Sequence, residues 1–136
     1  MDRRELPRHR PITVTMTYQV NKLTSSVHIY ASIIGYDGTV VMGTGDADVD
    51  SNRYGTRKPG IYKCSFQIPA NLLNEGNYLV NISMGVPYQR NYQENIGILS
   101  FGVFDVKHSD RVIHQRRAGM IWLDIPWNYP SGNPFE

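Results

Sequence analysis

The sequence predicts an all-β fold, an Ig-like antiparallel β-sandwich of about seven to eight strands. Three observations carry this. Apolar and polar residues alternate with period two through most of the chain, the signature of strands buried on one side. No segment sustains a helical period of apolar residues. Turn residues, mainly glycine, proline, asparagine and aspartate, recur between the alternating stretches at the short spacing of a sandwich.

The first strand is expected over Ile12, Val14, Met16, Tyr18 and Val20, with Thr13, Thr15, Thr17 and Gln19 facing the other way. After turn material at residues 21–26, Val27, Ile29, Ala31 and Ile33 alternate with His28, Tyr30, Ser32 and Ile34. This second strand runs into Tyr36-Asp37-Gly38, where Asp-Gly signals a hairpin in which both residues take positive φ, and Thr39–Met42 returns. Residues 43–60, with four glycines and three aspartates, read as a long polar loop.

Tyr62, Cys64, Phe66 and Ile68 then alternate with Lys63, Ser65 and Gln67. Pro69 ends that ladder for want of an N–H, Leu72 and Leu73 can fold down as an apolar plug, and Gly76 releases the chain into Tyr78, Val80, Ile82 and Met84. Such a connection suits a chain crossing between two packed sheets. Residues 85–95 form a second loop, rich in tyrosine and amides. Residues 98–106, apolar on both faces, give a central strand, and residues 119–125 a last one closed by Pro126 and Trp127. The expected core is Val14, Met16, Tyr18, Ile29, Ala31, Ile33, Cys64, Phe66, Tyr78, Val80, Ile82, Phe101 and Val103.

The 136 residues suit one domain, with its core over about 10–127 and a flexible tail at 128–136. No apolar run approaches the ~20 residues of a membrane span. The basic N-terminus leads into no apolar h-region, so a cytoplasmic location is expected. The net charge of +2 is scattered, with no basic stripe for a nucleic acid. Cys64 is the one cysteine, which excludes an internal disulfide and a multi-cysteine metal site.

Catalytic motifs are missing: there is no phosphate-binding loop, no nucleophile elbow and no His-Glu-x-x-His pair. The four histidines, His9, His28, His108 and His114, have no ligand spacing. Asp46-Ala47-Asp48-Val49-Asp50-Ser51-Asn52 only half resembles a calcium loop, since Ser51 stands where an EF-hand has glycine and Arg57 where it has a bidentate glutamate. A looser cation site or a solvated acidic loop fits it instead. No catalytic residue, metal or cofactor is expected.

Sugar binding is the chemistry this composition supports, because a sugar needs flat aromatic faces for its C–H side and amide, hydroxyl or guanidinium groups for its hydroxyls. Parity places His28, Tyr30 and Ser32 on the outer face of the second strand and Asn81 and Ser83 on that of a later one. Tyr88, Arg90, Asn91 and Tyr92 lie in the neighbouring loop. These nine residues are the candidate carbohydrate site. A wet sheet face with ordinary surface tyrosines accounts for the same composition.

The succession Ile-Pro-Ala-Asn-Leu-Leu-Asn-Glu-Gly-Asn-Tyr at residues 68–78, then Leu99-Ser100-Phe101-Gly102-Val103 with Asp105, then Gly119-Met120-Ile121 leading to Trp127, resembles the C-terminal domain of Wzt proteins. Tyr36-Asp37-Gly38 and Gly60-Ile61-Tyr62 follow the same order. Those proteins are the ATP-binding subunits of O-antigen polysaccharide ABC transporters. The resemblance implies a non-catalytic module that recognises the exported O-antigen or a similar cell-surface polysaccharide and couples it to export, within lipopolysaccharide biosynthesis. It implies partners in the transporter's nucleotide-binding and permease subunits, a homodimer for which strand exchange is a route, and a place on the cytoplasmic side of the inner membrane without insertion into it. A structural or dimerisation domain without glycan binding is the alternative. The strand that usually begins such a domain is missing or hidden in residues 1–10, which leaves one sheet edge unassigned, with a partner chain as one way to fill it.

Overall fold

A computed structural model of the chain describes residues 4–23, 28–48, 56–86, 90–105, 118–130 and 134, with backbone alone for 86 and 90–96. It is an all-strand sandwich. The strands are β1 (Arg4–Pro7), β2 (Ile12–Val20), β3 (His28–Gly35), β4 (Val40–Gly45), β5 (Gly60–Ile68), β6 (Gly76–Val86) and β7 (Arg90–Phe104). One sheet has the order β1-β7-β6-β3-β4, and the other pairs β2 with β5.

The alternation of β2 and β5 becomes a continuous antiparallel register from Ile12 opposite Ile68 to Val20 opposite Gly60. Val14 meets Phe66, Met16 meets Cys64 and Tyr18 meets Tyr62, so one apolar row faces the other sheet. On the five-stranded sheet Ala31 opposes Ile82 and Ile33 opposes Val80. Between the sheets lies a core of Ile12, Ile33, Ile68, Leu73, Tyr78, Val80, Phe101 and Val103. Each of its fully buried aliphatic side chains stabilises the fold by about 1.5–3 kcal/mol.

The connection after β5 crosses between sheets, as expected: β5 belongs to the two-stranded sheet and β6 to the five-stranded one. Leu73 is buried and Leu72 packs against the core. The bend is made at Asn71, the one described non-glycine residue with positive φ, 61°, a region that asparagine tolerates better than most residues.

Several elements differ from the sequence expectation. Residues 4–7 do form a strand, and it pairs parallel to β7, Arg4 with Phe101 through Pro7 with Phe104. This is the opening strand that the sequence leaves missing or hidden in residues 1–10; it fills the edge in question and makes the sheet mixed rather than purely antiparallel. The strand expected at 119–125 reduces to one bridge, Ile121 with Leu73, made by the Trp122 N–H donating to the Leu72 carbonyl and the Asn74 N–H donating to the Met120 carbonyl, each at 2.8 Å. β7 begins at Arg90, so the second half of the tyrosine-rich loop is strand, paired with β6 through Arg90 opposite Val86.

The hairpin after β3 is not the two-residue type in which Asp37 and Gly38 both take positive φ. Only Gly38 does, at 88°, with Asp37 Oδ1 accepting the Thr39 N–H at 2.9 Å. β4 also continues to Gly45, into the segment read as loop. In the core, Met16, Tyr18, Cys64, Phe66 and Ile82 are half-buried, while Ile12, Val20, Ile68 and Leu73 are buried. The sheets part beside Tyr18 and Met84, where a cleft of about 370 Å³ runs between Met16, Tyr18, Ile82 and Met84.

Candidate functional site

The outer face of the five-stranded sheet brings together five of the nine candidate residues. Tyr30 stands opposite Ser83 and Ser32 opposite Asn81 across the β3–β6 ladder, while His28 stands opposite Gly85. Directly opposed residues on one face have Cβ atoms about 4.5–5.5 Å apart, so these side chains form one patch. The His28 and Tyr30 rings lie 6.2 Å apart, tilted by 29°.

Two glycines of β4 make room beside them. Gly43 pairs with Ser32 and Gly45 with Tyr30, and a Cβ built on Gly43 would sit 1.8 Å from the Tyr30 hydroxyl oxygen. The tyrosine ring therefore lies across β4 in space that only glycine leaves. The result is a flat aromatic surface bordered by two hydroxyls and an amide.

Asn81 carries a second duty. Its Oδ1 accepts the Gly97 N–H at 2.6 Å, where Gly97 takes φ 62° and the β6–β7 register shifts between Val80 and Ile82. The bond fixes a bulge in β7 and orients the Asn81 amide. Asn91 and Arg90 are placed by backbone pairing near Gly85 and Val86, and Tyr92 lies on the same strand. Tyr88 lies outside the described residues.

A second constellation was not anticipated from the sequence. A groove of about 600 Å³ runs beside β5 and the end of β4, lined by Tyr18, Asp46, Arg57, Lys58, Tyr62 and Lys63 among others. Arg57 donates from Nη2 to Asp46 Oδ2 at 2.8 Å and from Nη1 to the Tyr18 hydroxyl at 2.6 Å. The Tyr18 and Tyr62 rings stack at 5.4 Å, and the Tyr62 hydroxyl donates to the Lys58 carbonyl at 2.6 Å.

Burial by itself would lower the Arg57 pKa, but the Asp46 carboxylate and the Tyr18 hydroxyl outweigh it and hold the guanidinium above its ordinary value. Burial raises the Tyr18 pKa, with the Arg57 cation opposing only part of the effect. Asp46 also accepts the Ile29 N–H at 3.0 Å, and Asp48 accepts the Gly45 N–H at 2.8 Å. The two described carboxylates of the acidic loop are therefore spent on protein partners. Positions 49–52 of that loop lie outside the described residues. The signal that could have found this site was Arg57 itself, a cation facing the start of an acidic stretch across a short loop.

The fold and the aromatic face define an Ig-like β-sandwich with a flat polar-aromatic sheet surface. Among solved structures, the chain is similar to the C-terminal domain of Wzt, with a TM-score of 0.70 over 92% of this chain and 73% of that one at 17% identity. The resemblance drawn from residues 68–78, 99–105 and 119–127 thus holds at the level of the fold. No protein-family model and no curated protein matches the chain. Among the described residues, no helix is long and apolar enough to cross a membrane.

Proposed function

We propose that the chain is a non-catalytic carbohydrate-binding module that recognises an O-antigen-like or similar cell-surface polysaccharide and couples it to export by an ABC transporter. The observation that carries this reading is the Tyr30 ring reaching with its hydroxyl over Gly43, with Ser83, Ser32 and Asn81 beside it. A sugar ring stacks its C–H face on such a platform while its hydroxyls meet the flanking polar groups. The shared fold with the C-terminal domain of Wzt supports the transporter context. In that context the module works on the cytoplasmic side of the inner membrane, held there by the nucleotide-binding and permease subunits.

An NMR titration with polysaccharide from the strain that encodes the chain tests the reading. Amide shifts at His28, Tyr30, Asn81 and residues 88–92 are expected. A full panel of that strain's glycans leaving those amides unmoved would sink it.

A second reading, a dimerisation domain, is favoured by one observation. Ile121, Leu123, Ile125, Trp127 and Tyr129 fall at every second position and are all exposed, Trp127 at 85%. A series of exposed apolar side chains suits contact with a second copy. Analytical ultracentrifugation decides it: a tight dimer that binds no glycan supports this reading against the first, and a glycan-binding dimer joins the two.

A further inference from the structure

We propose that the groove between β5 and the end of β4 is a second saccharide subsite, one that takes a sugar unit bearing a carboxylate or phosphate group, with Tyr62 as its ring platform, Tyr18 as a hydroxyl donor and Lys58 and Lys63 as counter-charges. The proposal rests on the reading of the chain as a carbohydrate module. It concerns a different surface from the Tyr30 face.

The first argument is the cost of what is already there. The side chains of Arg57 and Asp46 are only 10% and 17% exposed. Withdrawing two charges from water costs several kcal/mol per ion, and the attraction between them often does no more than offset it. Apolar residues of the same volume would hold the two sheets as well. A held charge pair in the wall of an open groove is better explained by what it positions than by what it stabilises.

What it positions is Tyr18. That hydroxyl accepts a guanidinium N–H, so its own hydrogen is turned away from Arg57 and is left to donate to a ligand oxygen. Tyr62 stacks on Tyr18 and is tied down through its own hydroxyl to Lys58. Two aromatic rings are therefore fixed before any ligand arrives, which removes part of the ordering cost of binding.

Charge selects the class of sugar. Among the described residues, Asp46 is the one carboxylate lining the groove, against the cations Arg57, Lys58 and Lys63. Arg57 is already matched by Asp46, and the two exposed lysines supply the further positive charge among the described lining residues. The groove volume, about 600 Å³, lies within the ~300–1,000 Å³ of small-ligand sites.

The test is a ¹H–¹⁵N titration of the chain with methyl β-D-glucuronoside, glucose 1-phosphate, methyl β-D-glucoside and inorganic phosphate. Amides of Thr56, Arg57, Tyr62 and Lys63 are expected to move with one or both charged sugars, the responding one identifying the anion. They should move little with methyl glucoside or phosphate alone. Lys58→Gln with Lys63→Gln should weaken the charged sugars about fivefold, and Tyr62→Ala should abolish binding while Tyr62→Phe keeps it. Equal response to methyl glucoside, or to phosphate without a sugar, overturns the proposal. Shifts confined to Tyr30, Ser32 and Asn81 overturn the groove and leave the sheet-face reading standing, whereas shifts confined to the groove do the reverse.

Discussion

The Arg8 guanidinium lies over the Trp122 ring, 3.8 Å from its centroid. It also donates to the Trp122 carbonyl and, from Nη2, to the Asn71 carbonyl at 3.0 Å. One side chain, only 5% exposed, thus ties the turn after β1 to the β5–β6 connection and to the segment that follows Met120. Asn74 completes the junction, its Nδ2 donating to the Gly119 carbonyl at 2.7 Å.

Arg8→Met keeps the aliphatic stem and removes the charge. Loss of the charge-assisted bonds and of the ring contact should cost about 2–4 kcal/mol in urea unfolding. Trp122 emission should shift to the red as its ring loses cover. Trp127 is 85% exposed and should emit at long wavelength in the parent as well, so the change reports Trp122. An unchanged midpoint would show that the junction does not depend on Arg8.

Asp46→Asn keeps an acceptor for the Ile29 N–H and removes only the charge facing Arg57. The guanidinium is then left largely buried without its carboxylate, and a loss of about 2–3 kcal/mol is expected. Arg57→Met in the same background should cost much less than it does alone, giving a coupling of about 1–3 kcal/mol in a double-mutant cycle. Simple additivity would mean that the 2.8 Å pair contributes no specific energy.

The strands were legible because alternation is local. Ile12–Val20 and Gly60–Ile68 each show period two over nine residues, and parity alone puts Tyr30, Ser32, Asn81 and Ser83 on outer faces. Register is not local, so the direct opposition of Tyr30 to Ser83 needed the structure. The parallel pairing of Arg4–Pro7 with Phe101–Phe104 joins segments nearly a hundred residues apart, and four residues with a proline carry no strand pattern of their own. Tyr18 was read as core for a related reason. Alternation tells which way a side chain points but not where two sheets part, and at Tyr18 and Tyr62 they have parted enough to admit solvent and Arg57.

Tyr18 gives the fold a measurable response to alkali. Folding raises its pKa, mainly by burial, so the folded chain holds this proton more tightly than the unfolded one. The associated stability is complete below about pH 10, the ordinary tyrosine value, and is lost as pH rises through the folded-state pKa. The unfolding midpoint should therefore fall above pH 10 more steeply for the parent than for Tyr18→Phe. Ultraviolet titration should show one fewer late-ionising tyrosine in Tyr18→Phe than in the parent. Identical pH profiles for the two chains would refute the assignment.

Gly43→Ala alters the sheet face without removing any group proposed to touch a ligand. The new methyl group would occupy the place of the Tyr30 hydroxyl, 1.8 Å away, and because that hydroxyl ends a flexible side chain the ring can swing aside. Alanine also loses less backbone entropy than glycine in a strand, by about 0.5–1 kcal/mol, so overall stability should change by less than about 1 kcal/mol. Glycan affinity at the face should nevertheless fall about fivefold, or about 1 kcal/mol, as the flat platform beside Ser83 and Asn81 is lost. Ring proton shifts of Tyr30 and His28 report the displacement directly. A ring that moves while affinity stays constant would remove Tyr30 from the site and leave any glycan contact to the β7 residues alongside.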